Sequence, residues 1–216
     1  LEGGQTSTGS ILDWYRRHFA GKEQAQADRE SKKIWEVLDV EAAAVAPGCD
    51  GLLCLDYWQG NRCPIKDPRA RGAWLGLSLS HGSGHLFRSI YEATACGTRH
   101  ILEDLASHGH QVTRLFAGGG GARSRLWLSI HADVLQMPIH VPRDPEACAL
   151  GSALLAAVHV GHYPDLPTAC KNMVHLEEVI QPNPAHRQVY DDVFARYRKT
   201  YPVLRDLLHE LHKAGS

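Results

Sequence analysis

A glycine-rich stretch near the middle of the chain combines residue types that bind nucleotides. Residues 115–127 are Leu-Phe-Ala-Gly-Gly-Gly-Gly-Ala-Arg-Ser-Arg-Leu-Trp, a pattern that predicts a buried strand end, a turn of four glycines and an amphipathic helix. Glycine has no Cβ, so a ligand can approach its backbone closely. The following helix start offers unpaired N–H groups to a phosphate. A turn that only packs closely explains the pattern equally well. The stretch is neither a P-loop, since no Gly-Lys-Ser/Thr follows, nor a dinucleotide fingerprint.

Cysteine and histidine are the other residue types that could carry chemistry, and their spacing predicts no metal site. The six cysteines form no C-x-x-C pair, and several lie in apolar segments, so we expect reduced thiols and no structural disulfide. The fourteen histidines are spread along the chain without an H-E-x-x-H motif. His81 and His85 are four residues apart, but they lie near a predicted helix start, where a capping role is expected.

The composition excludes several functional classes. With 216 residues, 44% of them hydrophobic and 22% charged, the chain can bury a core of one domain or somewhat more. The net charge of −1 argues against nucleic acid as the main partner. No apolar run approaches the roughly 20 residues that span a bilayer, and no signal peptide opens the chain. We therefore expect a cytoplasmic protein without a membrane partner.

Apolar periodicity predicts the elements that position these residues. Helices are predicted over about 8–20 (capped by Ser7 or Thr8), 28–44, 84–107, 122–135, 146–158 and 185–212, the last interrupted at Pro202. Strands are predicted over 52–55, 73–77, 112–117 and 138–141. From residue 73 onward strands alternate with helices, which predicts an α/β domain with right-handed crossovers.

Four stretches of this chain together resemble the C-terminal half of the FGGY carbohydrate kinases. They are residues 2–9 (EGGQTSTG), 55–64 (LDYWQGNRCP), 117–124 (AGGGGARS) and 144–153 (DPEACALGSA), which occur in the family's order. The second stretch and the strand that begins at Arg71 look most like the pentulose kinases of the ribulokinase type. Xylulose and polyol kinases share much of this pattern.

The resemblance implies a ribonuclease H-like α/β fold of the actin, hexokinase and heat-shock chaperone superfamily, with a central mixed sheet flanked by helices. It implies that residues 1–216 form the C-terminal, nucleotide-binding domain, with residues 185–216 as a helical extension. The family binds its sugar and carries its catalytic aspartate mainly on an N-terminal domain. Because the chain starts at Leu1 without methionine, we expect it to be part of a longer protein, with no catalytic residue of its own.

By the same resemblance, the expected ligands are ATP or ADP with Mg²⁺, and the site residues follow from the matched motifs. Gly119, Gly120 and Gly121 would lie against adenine and ribose, and Ser124 would reach the adenine edge. Gly9 and Asp13 would lie at the phosphates. Two alternatives stay open: Ser124 as an ordinary first-turn serine, and Asp13 as a residue that solvates its helix or acts through water or Mg²⁺.

Other polar and aromatic residues have structural explanations. Asp56 and Arg62 are expected to pair and hold their loop, and Asp144 and Glu146 to favour a helix start through its dipole. Four tryptophans are expected in the core, whereas the fifth, Trp58, could face a cleft; the four are Trp14, Trp35, Trp74 and Trp127.

Three functional hypotheses follow. The first is an ATP-dependent pentulose kinase of which this chain is the nucleotide-binding half, acting on a sugar held by the N-terminal domain. The second is a non-catalytic nucleotide-binding or regulatory module, which the acidic residue at position 13 favours. The third is a structural α/β domain whose glycine turn binds nothing. The long C-terminal helices could also pair in a homodimer.

Overall fold

The computed structural model describes residues 2–144 and 146–214. Along these residues lie eight α-helices and five strands: α1 (Thr8–Phe19), α2 (Gly21–Glu30), α3 (Ile34–Ala43), β1 (Leu53–Leu55), β2 (Ala73–Leu75), α4 (Ser83–Ser107), β3 (Leu115–Phe116), α5 (Arg125–Leu135), β4 (Ile139–Pro142), α6 (Ala147–His159), α7 (Leu166–Met173), β5 (Leu176–Ile180) and α8 (Arg187–Ala214). Short 3-10 turns cover Cys49–Gly51, Gly120–Arg123 and Pro184–His186.

The long helix α4 lies at the centre of the main core. Every residue from Phe87 to Gly97 is buried, and the helix packs against α1, α3, α5, α8 and β1. The buried Arg88 guanidinium donates to Glu92 (2.9 Å), Tyr190 Oη (2.9 Å) and the Ala42 carbonyl (3.2 Å). A buried charge is tolerated only when it is paired and hydrogen-bonded, and this network meets that condition.

The strands form two small sheets. In one, β1 and β2 pair antiparallel; in the other, β4 lies between the parallel strand β3 and the antiparallel strand β5. Helix α5 connects β3 to β4 and packs with both strands around a second, smaller apolar cluster. The predicted α/β fold with a mixed sheet and flanking helices is confirmed. Because β2 and β3 lie in different sheets, the predicted series of crossovers reduces to the unit β3–α5–β4.

Several element boundaries differ from the sequence prediction. The single helix predicted over 28–44 is two helices, because Ser31 adopts a left-handed conformation (φ 53°) that ends α2. The strand predicted over 112–117 shrinks to two residues. Helix α8 continues through Pro202, since Tyr197, Tyr201 and Leu208 keep the turns on both sides buried in the core. The prediction missed α7 and β5.

The cysteine prediction agrees with the structure, in which none of the six cysteines forms a disulfide. Over the described residues, no helix combines the length and the apolar character needed to cross a bilayer.

Candidate nucleotide site

The glycine turn joins β3 to α5 at the edge of the three-stranded sheet. After Phe116 the backbone makes one more ladder contact, from the Ala117 N–H to the His140 carbonyl at 3.0 Å, and then leaves the sheet. Gly119 has φ +76°, a conformation that favours glycine, and Gly120 begins a 3-10 turn. Gly119 and Gly120 are both exposed. The turn therefore presents bare backbone to the outside of the molecule.

Packing inside the described chain does not explain the glycine at position 120. A Cβ built on Gly119 or Gly120 would meet no other atom within 4 Å. On Gly121 the nearest atoms belong to the Trp127 ring at 3.5 Å, an ordinary van der Waals distance. Position 119 needs glycine for its backbone angle, whereas position 120 needs it neither for angle nor for space. The backbone at position 120 is therefore open to a neighbouring molecule.

Ser124 begins α5 and holds two hydrogen bonds. Its Oγ accepts from the Trp127 N–H at 3.1 Å, which is the ordinary capping contact, and donates to Asp39 Oδ2 at 2.7 Å. The other oxygen of Asp39 accepts from the Tyr91 hydroxyl at 2.8 Å. Burial raises the pKa of Asp39, and the hydrogen bonds from Ser124 and Tyr91 oppose that rise. Ser124 is thus an N-cap, and it is also tied to α3 by a contact that a first-turn serine does not need.

The N-terminal half of α1 carries the residues expected at the phosphates. Gly9 is exposed, and a Cβ there would again meet nothing within 4 Å. The predicted side-chain cap is wrong, because Ser7 has a left-handed backbone (φ 67°) and its hydroxyl donates instead to the Thr6 carbonyl. No side chain therefore caps the backbone N–H groups at the N-terminal end of α1.

The carboxylate of Asp13 is engaged by two arginines of its own helix. Arg16 contacts it at 2.8 Å and Arg17 at 3.0 Å. The hydrogen bond from Arg16, assisted by the charge of Arg17, lowers the pKa of Asp13. Arg16 and Arg17 therefore compensate the negative charge of Asp13, which would otherwise repel a phosphate.

A chain of contacts through α4 links the two halves of the candidate site. The Tyr15 ring of α1 lies 5.5 Å from the Phe87 ring, and Phe87 lies 4.8 Å from Tyr91. Tyr91 then donates to Asp39, which holds Ser124. Helix α1 and the N-cap of α5 therefore belong to one packed unit.

The loop after β1 is held differently from the prediction. Arg62 pairs with Glu2 at 3.0 Å, not with Asp56, so the expected Asp56–Arg62 pair is wrong. Asp56 is buried and accepts from Tyr197 Oη at 2.6 Å and from Gln5 Nε2 at 3.2 Å. Burial raises the pKa of Asp56 to about 6. These partners lie 141 and 51 residues away in sequence, beyond the reach of a local motif.

The aromatic predictions hold in part. Trp58 does not face a cleft, because its ring lies 5.8 Å from Trp14 and 5.2 Å from Trp74 against the core. Trp127 also packs on the core, whereas Trp35 is 39% exposed, contrary to expectation.

The two acids near residue 145 do lie at the start of α6. Asp144 accepts from the Glu146 N–H at 2.9 Å, and Glu146 pairs with Arg123 of the glycine turn at 3.0 Å. This pair connects the turn to α6 across its exposed surface.

The described residues contain no cluster of metal-binding side chains. In 2–144 and 146–214, no three histidine, cysteine, aspartate or glutamate side chains come together as a metal site. Asp13, the acid expected nearest the phosphates, is bound by arginines.

Comparison with known proteins identifies the family. The model of the FGGY family of carbohydrate kinases, C-terminal domain, matches residues 1–160. The chain belongs to this family. An FGGY C-terminal domain was the expectation from the four motifs, and it is confirmed.

Individual relatives are sugar kinases. The chain is 33% identical over 207 residues to a ribulokinase of Bacillus licheniformis, and 26% identical over 205 residues to a xylulose kinase of Staphylococcus epidermidis. These two matches cover 93% and 95% of this chain, but only 38% and 39% of the relatives' length. The crystal structure of xylulose kinase from Rhodospirillum rubrum superposes with a TM-score of 0.81 at 38% identity, over 96% of this chain and 40% of that one. The chain thus spans about two fifths of the proteins that it matches.

Proposed function

We propose that this chain is the nucleotide-binding half of an ATP-dependent carbohydrate kinase that transfers the γ-phosphate to a hydroxyl of a pentulose such as ribulose. Adenine and ribose would lie against Gly119, Gly120 and Gly121, with Ser124 at the adenine edge. The phosphates would reach the start of α1 at Gly9. In phosphoryl transfer the protein mainly positions phosphates and neutralises charge, and this half would contribute the positioning.

One observation carries the proposal: Gly9 and Gly120 are exposed glycines within the stretches that match the family's motifs, and a Cβ on either would meet nothing within 4 Å. Each stands at a helical start whose N–H groups suit an anion or a polar ligand edge. The acid at position 13 favoured a non-catalytic module. Because Arg16 and Arg17 compensate its charge, Asp13 no longer argues against phosphate.

Mg²⁺ enters the proposal as part of the substrate, carried on the phosphates of ATP. The described residues offer it no cluster of ligands, so the chain would bind the Mg·ATP complex through the nucleotide. When bound, the ion supplies charge neutralisation for the transferring phosphoryl group.

An exposed apolar face on α6 supports the presence of a further domain. Of its thirteen residues only Leu154 is buried, whereas Leu155 is 60% exposed and Val160, just past the helix, is 76% exposed. We propose that this face packs against the part of the longer protein that binds the sugar.

Three expectations stay predictions. They are the cytoplasmic location, the homodimer, and the assignment of residues 1–216 as one C-terminal domain with residues 185–216 as a helical extension.

A turnover assay on the longer protein tests the proposal. Phosphate transfer from Mg·ATP is measured with D-ribulose, L-ribulose, D-xylulose and glycerol as acceptors. We expect one pentulose to be the best acceptor, since ribulokinases and xylulose kinases are both among the relatives. A preference for glycerol would contradict the proposed pentulose class. ATP binding without transfer to any sugar would support the non-catalytic module instead.

A further inference from the structure

The hydrogen bonds of Ser124 determine which of its atoms remain available to a ligand. A serine hydroxyl has one donor hydrogen and two acceptor lone pairs. The hydrogen is used on Asp39 Oδ2 at 2.7 Å, and one lone pair accepts from the Trp127 N–H at 3.1 Å. One lone pair is left. In this arrangement Ser124 can accept a hydrogen bond from a ligand but cannot donate one.

Asp39 is the residue that imposes this direction. The Trp127 N–H occupies one lone pair but leaves the hydroxyl hydrogen free to rotate toward a ligand. The carboxylate of Asp39 removes that freedom, because it can only accept while it is ionised. Tyr91 holds the carboxylate from the other side at 2.8 Å, and Tyr91 is itself buried in the core. The acceptor is thus fixed in place before any ligand arrives.

An accept-only hydroxyl distinguishes purine bases by the group at C6. Adenine presents an amino group there, which donates, whereas guanine and hypoxanthine present a carbonyl oxygen, which accepts. An amino group completes the hydrogen bonding of Ser124. A carbonyl would set two acceptors against each other with no proton between them, and unsatisfied polar contacts of this kind are costly.

We propose that Asp39 is a positioning residue for nucleobase selectivity, which turns the Ser124 hydroxyl into a pure acceptor and so favours 6-amino purines over 6-oxo purines. Asp39 acts through Ser124 and does not contact the base. This inference rests on the proposed function, in which Ser124 lies at the adenine edge. Asp39 lies in α3, 85 positions from Ser124 in sequence.

The test compares ATP with inosine triphosphate, which replaces the 6-amino group by a carbonyl. Dissociation constants of both magnesium complexes are measured by calorimetry on the 216-residue chain. We expect ATP to bind roughly tenfold more tightly or better in the parent, from the cost of one unsatisfied polar contact. In Asp39→Asn, whose amide can donate to Ser124 and free its hydrogen, we expect that ratio to fall to about twofold on the same grounds.

Two further variants keep the test decisive. Tyr91→Phe removes the other hydrogen bond of Asp39, together with the interaction of Tyr91 with Ser124. Because it leaves the Asp39–Ser124 contact, it should retain the parent ratio. Asp39→Ala also frees the hydroxyl. It replaces Asp39→Asn in the test if circular dichroism shows that Asp39→Asn does not fold. An unchanged ratio in both Asp39 variants, with ATP still bound, overturns the role of Asp39 and leaves the proposed function standing. If the folded parent binds neither nucleotide, the proposed function and this inference fail together.

Discussion

The substitution Gly120→Val separates a ligand-binding glycine from a structural one. Gly120 has no left-handed φ, and a Cβ there meets no other atom within 4 Å. The folded chain should therefore accept valine with a change in the free energy of unfolding of less than about 1 kcal/mol, as is usual for surface positions. If adenine or ribose lies against this backbone, the two added methyl groups occupy its place. A loss of about 1.4–2.8 kcal/mol of binding free energy, or ten- to a hundredfold in Mg·ATP affinity, is then expected.

Calorimetric titration with Mg·ATP and chemical denaturation, both on the purified variant, measure the two quantities. Gly21→Val is a matched control, because a Cβ on Gly21 also meets nothing within 4 Å. Gly21 begins α2, beyond the C-terminal end of α1, whereas Gly9 lies in the first turn of α1. The control should change neither stability nor affinity. Normal ATP affinity in a folded Gly120→Val protein would refute the reasoning and leave the turn as a packing feature.

Three further predictions concern charge and activity. The chain alone should not phosphorylate any pentulose, since a positioned general base contributes roughly 10²–10⁴-fold and lies by resemblance in the N-terminal domain; a coupled assay that detected turnover would contradict this. Asp13→Asn should maintain or improve ATP affinity in the presence of a chelator, because the freed Arg16 and Arg17 can then face phosphate; weaker binding would show that the acid itself is needed. The pKa of Asp56, raised by burial from 3.8 to about 6, means that the native state holds this proton more tightly than the unfolded state. This tighter proton binding stabilises the native state fully below pH 3.8, and the stabilisation is lost as the pH rises through 6. The free energy of unfolding then falls by about 3 kcal/mol. Asp56→Asn should remove that part of the decline between pH 4 and 7 in denaturation curves, and an identical decline in the variant would disprove it.

Elements with strong local patterns were predictable from the sequence. Helices α1 and α4 and the strand β4 lie within one or two residues of their predicted bounds, because each has a clear apolar period and recognisable ends. The glycine turn and the end of α5 were also anticipated, whereas α5 begins at Arg125, three residues after its predicted start, because a 3-10 turn covers Gly120–Arg123. Resemblance supplied the family, which no periodicity could have given.

What the sequence prediction missed depended on weaker patterns and on tertiary contacts. Helix α7 has an N-cap at Asp165, which accepts from the Thr168 N–H at 2.8 Å, and a proline in its first turn; these starting features could have revealed it. Strand β5 lacks an alternating pattern, and its identity depends on pairing with β4. The contact of Ser124 with Asp39 joins residues that the chain separates by one α-helix and three strands. No spacing rule predicts such a contact.

Hydrogen exchange of the backbone amides, with and without saturating Mg·ATP, tests the central claim most directly. In the proposed site one nucleotide lies across two segments that are far apart in sequence, the start of α1 and the glycine turn. We expect ATP to slow exchange in residues 8–13 and in residues 118–124 together, with little change in the exposed helix α7. Protection confined to one of the two segments, or found only elsewhere, would contradict a nucleotide site built from both.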